Sequence, residues 1–323
     1  MLRYLARRLL LLVPVVLGAA LIAFALLLLI PGDPAVALLG QEVSGPELVR
    51  FRHLLGLDRP VPVQFGLYLW RLAQGDLGSS ITLHAPVLQL ISSTLPATLE
   101  LAIASLLLSI AAGIPLGLLA ARRRGGLLDT GTMLVAQLGV SMPVFWLGVL
   151  LILLFAVRLD WLPSFGRGPA LVAAVASGDA ASILDSVRHL ILPACTLAFF
   201  NLALLTRLTR WAVLEVLEED YVRTARAKGQ AERVVLYRHA LRNAALPILT
   251  IIGLQFGNAL GGAVVTETIY GWPGMGRLVV QAIGQRDFPV VQGAVLVLAL
   301  LFSLVNVAVD LAYGLADPRI RYE

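Results

Sequence analysis

Residues 9–30 read LLLLVPVVLGAALIAFALLLLI, without one charged side chain. As a helix such a run is about 33 Å long at 1.5 Å per residue, enough to cross a hydrocarbon core of about 30 Å. Arg3, Arg7 and Arg8 stand directly before it. Charge followed by an apolar run is also the plan of a secretory leader. A leader core, however, has only about 7–15 residues and ends at a small-x-small cleavage site. Neither feature is present, so the stretch is read as a retained first span.

Five more runs of this kind follow, at roughly 97–121, 131–157, 189–206, 245–266 and 289–313, with 189–206 the shortest. They account for a composition that is 59% hydrophobic and 14% charged over 323 residues, with a mean hydropathy of +0.86. Soluble domains carry about 25% charged residues. The expected fold is an all-α polytopic membrane protein with six transmembrane helices. Its parts are residues 1–96 (first helix and external loop), 97–313 (a five-helix core) and a tail, 314–323.

Arginine placement orients these spans. Of the 25 basic residues, 16 fall on one side: Arg3, Arg7 and Arg8, Arg122–Arg124, eight between Arg207 and Arg242, then Arg319 and Arg321. Short Lys/Arg-rich loops stay in the cytoplasm. Both termini, the 122–130 loop and the 207–244 loop are therefore expected inside, and 31–96, 158–188 and 267–288 outside. Trp161, Trp211, Trp272, Tyr4, Tyr270 and Tyr313 fall near span ends, as an aromatic belt would have them. Within 31–96, Pro31-Gly32-Asp33-Pro34 stops the first helix, and residues 47–56 and 62–73 read as short helices.

Catalytic signatures are missing. The four histidines (53, 84, 189, 239) have no metal-ligand spacing, and Cys195 is the only cysteine, so no intrachain disulfide is available. Lys228 is the only lysine and does not follow a glycine-rich loop, which rules out a standard Walker ATPase site in this chain. No basic tract with interleaved aromatics suggests nucleic-acid binding. An enzyme is not expected. Uphill transport would draw on an ion gradient or on a separate ATPase. Ion coupling calls for ionisable groups at membrane depth. Only Glu100, about a turn into the second span, and Asp310, near the end of the sixth, qualify. Each reads either as a carboxylate near the headgroups or paired with a neighbouring helix, or as part of a pathway.

The 207–244 loop reads as helix, glycine turn, helix. Gly229 suits the position just past a helix ending at Lys228, where a left-handed backbone is wanted. Beyond it Val234, Val235, Leu236, Ala240 and Leu241 form an apolar stripe among arginines. Such a hairpin either docks in another protein's cleft or lies on the lipid surface. In the fifth span Gly253, Gly257 and Gly261, spaced by four, share one face and permit close helix approach or line a path, with Gln255 and Asn258 flanking them. Trp272-Pro273-Gly274 interrupts the helix as an external turn.

Residues 221–247, from Tyr221-Val-Arg-Thr-Ala-Arg-Ala-Lys-Gly229 to Leu246-Pro247, resemble the coupling loop of binding-protein-dependent ABC importer permeases, in the dipeptide/oligopeptide/nickel branch. That family's general pattern is Glu-Ala-Ala, three residues, Gly, then Leu-Pro. Here Arg223-Thr224-Ala225 replaces the first part, and Leu246-Pro247 stands further off. Other stretches resemble the same branch in order: Leu2–Leu10, Pro31–Pro34, Gly56–Pro60, Gly75–Ser80, Thr94–Glu100, Thr266–Arg277 and Asp317–Tyr322. The external loop after the first span points to the B-type member of the permease pair.

The resemblance implies type I ABC importer architecture. It also implies a second homologous permease, two ATP-binding subunits that hold ATP and Mg, and a periplasmic or lipid-anchored substrate-binding protein. No cofactor is expected in this chain; membrane lipids are a further expected partner, and nucleic acid is not. The cargo would be a di- or oligopeptide, or a small solute such as nickel or glutathione. The alternative is a gradient-driven secondary transporter or a channel. Tyr221, Arg223, Ala225, Ala227, Lys228, Gly229 and Glu232 would couple to the ATPase. Glu100, Gly253, Gln255, Gly257, Asn258 and Gly261 would line the path or the permease interface. Asp58, Trp272, Pro273 and Gly274 would meet the binding protein.

Overall fold

The computed structural model describes residues 2–29, 45, 46, 49, 53 and 58–316. Pro31–Pro34, most of the 47–56 segment and Asp317–Glu323 lie outside the described residues. Among the described residues the structure is helical, with one isolated bridge, Ser79 to Pro86. The helices are α1 (Leu2–Leu29), α2 (Val61–Ala73), α3 (Val87–Arg122), α4 (Leu127–Ser141), α5 (Val144–Leu151, continued as a π-helix over Ile152–Arg158) and α6 (Leu171–Ser177). There follow α7 (Ala180–Leu217), α8 (Asp220–Ala227), α9 (Glu232–Val234, continued as a π-helix over Val235–Leu241), α10 (Ala245–Tyr270), α11 (Met275–Gly284) and α12 (Phe288–Ala316).

Three of these, α3, α7 and α12, are long and apolar enough to cross a membrane. Two bent pairs, α4 with α5 and α9 with α10, raise the number to five if each pair is one span, and α1 holds a shorter apolar stretch, Leu10–Ala25. The helices differ from the expected spans in three places. First, α3 begins at Val87, and Pro96 sits inside it, so Glu100 lies nearly four turns into the helix. Hydroxyls of Ser92, Ser93 and Thr94 bond back to the carbonyls of Gln89 and Leu90, supporting the turns around the proline. Second, the run expected to be shortest is the 38-residue α7. Asp185 and Arg188 are exposed and His189 half-buried in its first three turns, and Asp179 starts the helix by accepting hydrogen bonds from the Ala181 and Ser182 amides. Third, the 131–157 run breaks by 106° at Met142–Pro143. A residue before proline is pushed out of the helical region, and Met142 is extended, with φ −83° and ψ 125°.

The chain divides into two compact units, residues 1–96 with 274–304 and residues 97–273 with 305–323. In the first, Phe24 of α1 packs tilted against Phe65 and stacks with Tyr68 of α2, with ring centroids 5.3 and 5.9 Å away. Val87, Ile91, Met275, Ala282, Val290 and Ala294 form its core. The Ser79–Pro86 turn is tied to the start of α12 by Asp287, whose Oδ2 accepts from the Ser80 hydroxyl and from the amide and hydroxyl of Thr82.

In the second unit α7 is the central element. Glycines on three other helices allow close approach to it. An added Cβ at Gly117 of α3 would lie 2.7 Å from the Thr206 carbonyl, one at Gly139 of α4 2.7 Å from Ala203 Cβ, and one at Gly148 of α5 3.4 Å from Thr196. Helix association in lipid relies on such small-residue contact rather than on a hydrophobic drive.

Candidate functional site

Both groups of residues with functional potential lie in the second unit. The first is the hairpin between α7 and α10. Charged, helix-forming residues build the eight-residue α8, and Gly229 ends it at φ +75°. The Gly229 amide bonds to the Arg226 carbonyl (2.9 Å) and the Gln230 amide to the Ala225 carbonyl (3.3 Å). This paired pattern is the glycine cap expected of a left-handed C′ residue. Val222, Ala225 and Val235 are buried together against Val216 and Leu217. The inner face of α8 therefore holds the hairpin closed.

The outer face of that hairpin carries Tyr221, Arg223, Ala227, Lys228 and Gly229, all exposed. Ala225 is placed differently from a docking-face residue: its side chain points inward and is 6% exposed. Arg226 grips the Glu232 carboxylate with two nitrogens, at 2.8 and 3.3 Å. That hydrogen bonding holds the Glu232 carboxyl below the usual carboxylate range and keeps the two arms in register. The apolar stripe beyond the turn divides: Val235, Leu236 and Ala240 are buried, and Val234 is exposed. α10 then begins at Ala245, with Pro247 in its first turn, where no amide hydrogen is needed.

The second group is a knot where α10 ends. Gly271, at φ +60°, caps α10, and the Trp272 amide reaches back to the Glu267 carbonyl at 2.9 Å. Trp272 is fully buried and its indole N–H donates to the Ala97 carbonyl (2.9 Å). Glu267, also fully buried, accepts from the Thr98 hydroxyl at 2.6 Å. The Tyr270 hydroxyl lies 2.8 Å from the Thr196 hydroxyl and donates to the Gly148 carbonyl. Glu100 pairs with Arg167 and accepts from the Leu171 amide, and the Arg167 guanidinium stands 5.7 Å from the Trp272 ring. One short turn thus holds α3, α5, α7 and the 166–171 loop. A half-buried ion pair with a cation–π partner is costly to break, because the remaining charge stays buried.

The other expected site residues are dispersed. Gly253 packs against Val309, whereas nothing lies within 4 Å of a Cβ at Gly261, so the three glycines do not form one uniform contact face. Gly257 is buried and Asn258 exposed. Gln255 is 2% exposed, and neither its amide nitrogen nor its oxygen has a partner among the described residues. Of the outer-loop residues, Asp58 and Pro273 are exposed, while Trp272 and Gly274 are buried and offer no surface in this chain. Sequence reasoning did not single out Arg167, or the fork by which Arg210 grips Asp129 at 2.5 and 2.7 Å. Arg167 stands in a stretch that reads as an ordinary external loop, and Arg210 near the start of the basic 207–244 loop, where nothing local marks Asp129 as its partner. For Arg167 the available signal is Glu100, a carboxylate inside a span that needs a cation.

Residues 113–322 match the family described as binding-protein-dependent transport system inner membrane component, and residues 1–102 match the N-terminal component of the same description. The chain is 48% identical to the di/tripeptide transport system permease protein DppB of Pseudomonas aeruginosa, and 44% identical to the dipeptide transport system permease protein DppB of Alkalihalophilus pseudofirmus. Both alignments cover 100% of both chains. A solved structure of the MetNI methionine ABC transporter, in inward-facing form, superposes with a TM-score of 0.56 at 17% identity, covering 71% of this chain and 97% of that one. That likeness speaks for the helical fold alone. The chain belongs to the binding-protein-dependent transport system inner membrane component family, whose members are multi-pass transport permeases of the cytoplasmic membrane and not enzymes.

Proposed function

We propose that this chain is one of two membrane-spanning subunits of an ATP-driven importer for di- or oligopeptides. Its spans would be α1, α3, the bent α4–α5 pair, α7, α10 and α12, with both termini in the cytoplasm. The observation that carries the reading is the Gly229-capped hairpin. Its apolar back is consumed by its own packing and its charged front is free to be gripped by a nucleotide-binding partner. Closure of two ATP-loaded subunits would pull on α8 and α9 and, through the continuous α7 and the α9–α10 bend, tilt the spans. The full-length likeness to relatives named for dipeptides supports the cargo. A binding protein would deliver it to the outer loops, with Asp58 and Pro273 on the docking side. Gln255 would offer its unpaired amide to a passing peptide.

The test uses the assembled importer in proteoliposomes. Gly229→Val forces a β-branched residue into a left-handed backbone, at a strain of about 1–2 kcal/mol, whereas asparagine tolerates that region. Gly229→Val is expected to lose ATP-driven dipeptide uptake while the subunits still copurify, and Gly229→Asn to retain it. Undiminished uptake by a fully assembled Gly229→Val importer would overturn the coupling role.

A further inference from the structure

A cavity of about 320 Å³ opens at the C-terminal end of α3, lined by Leu118, Leu119, Arg122, Arg233, Leu236 and Tyr237. It has room for about ten water molecules at roughly 30 Å³ each, ample for a phosphate diester. The last turn of α3 brings one arginine and the hairpin brings the other. Among the described residues neither guanidinium has a hydrogen-bond or salt-bridge partner. Arg122 acts on Glu232 only through its field, and that carboxylate is already held by Arg226. Two unpaired guanidiniums over a leucine-lined crevice match the planar, bidentate geometry of phosphate recognition.

A second feature leads away from the cavity. Leu108, Ala111, Pro115, Leu119 and Arg122 are all exposed, and their spacing of three and four places them on one face of α3. This apolar track is about 21 Å long at 1.5 Å per residue, against about 15 Å for one leaflet's hydrocarbon. A soluble anion has no use for it. An acyl chain does.

We propose that the cavity is a binding site for an anionic phospholipid. Arg122 and Arg233 clamp the headgroup phosphate, Tyr237 closes the rim, and one acyl chain lies along Leu119, Pro115, Ala111 and Leu108.

The assembled importer, reconstituted in phosphatidylcholine with a minority of phosphatidylglycerol and re-extracted in mild detergent, is analysed for retained lipid by quantitative mass spectrometry. The wild type should retain phosphatidylglycerol above its share of the bilayer. Arg122→Gln and Arg233→Gln should each reduce that enrichment about fivefold, the usual weight of one basic residue at an anionic surface, and the pair should abolish it. Leu119→Gln, which leaves both charges, should also lower retention. All three side chains are exposed, so the fold is not at stake, and subunit stoichiometry checks assembly. Enrichment that survives in the double variant overturns the proposal. So does its absence in the wild type, the result expected if another protein covers this face. Displacement of the lipid by inorganic phosphate, together with indifference to Leu119→Gln, would mark a soluble-anion site instead and equally overturn it.

Discussion

At the scale of single residues, the glycines of α10 show how a spacing becomes a contact. Gly253, Gly257 and Gly261 share a face by periodicity alone, but periodicity does not say what that face meets. At Gly253 an added Cβ would fall 2.5 and 2.6 Å from the Cγ atoms of Val309, far inside van der Waals range. At Gly261 there is open space. Gly253→Ala should therefore destabilise the purified chain by about 1–3 kcal/mol, the usual cost of overpacking, with a lower thermal midpoint in detergent. Gly261→Ala should leave the midpoint unchanged. Equal midpoints for the two variants would count against the α10–α12 contact. The Arg167–Glu100 pair teaches the same lesson from the other side. Glu100 stood out because a carboxylate in a span needs an explanation, but its cation comes from a loop 67 residues away and no local pattern names it.

Elements were legible where their signals are local. The Gly229 cap, the short helix near 62–73, the start of α10 and the interruption after Tyr270 all follow from neighbouring residues, and the structure has each of them. Helix ends are less legible than spans: α7 runs well beyond the apolar 189–206 stretch at both ends, because a helix leaving the membrane keeps its hydrogen bonds and only changes its solvent. The clamp on the Ser79–Pro86 turn was equally hidden, since Asp287 closes it from about two hundred residues away. Burial raises the Asp287 carboxyl, but hydrogen bonds from the Ser80 and Thr82 hydroxyls and from the Thr82 and Ile81 amides outweigh it, and the group titrates below the ordinary carboxylate range. A carboxyl depressed in the folded state adds stability above its unfolded value, about 3.9, and loses it as pH falls through the folded value. The turn should thus stay closed at neutral pH and loosen only in acid below about pH 4. Asp287→Asn should abolish that acid dependence and, at neutral pH, speed amide exchange at Thr82 and Leu83, as hydrogen-exchange mass spectrometry would record. Unchanged exchange would show that the turn holds without the carboxylate.

For the whole molecule topology turns on parity, and the 106° bend between α4 and α5 sets it. α4 has 15 residues, about 22 Å at 1.5 Å per residue, and cannot cross a 30 Å core alone. Either the bent pair crosses as one span, or it turns back and leaves on the side it entered. The two choices invert everything that follows. If the pair turns back, the 207–244 hairpin, with basic residues at 207, 210, 223, 226, 228, 233, 238 and 242, would face outward, against the strong tendency of such loops to remain in the cytoplasm. A single crossing keeps those residues inside together with Arg122–Arg124 and Arg8. The chain's one cysteine makes the distinction accessible. On a Cys195→Ser background, cysteines are placed singly at the exposed Ala176 and Ala231, and intact cells are treated with a membrane-impermeant maleimide. One crossing predicts labelling of Ala176→Cys from outside and of Ala231→Cys only after permeabilisation. A re-entrant pair predicts the reverse at both positions, which would place the hairpin beyond the reach of any cytoplasmic ATPase. A single reversed labelling pattern would therefore remove the physical basis for coupling through Gly229, whatever the similarity of the chain to known permeases.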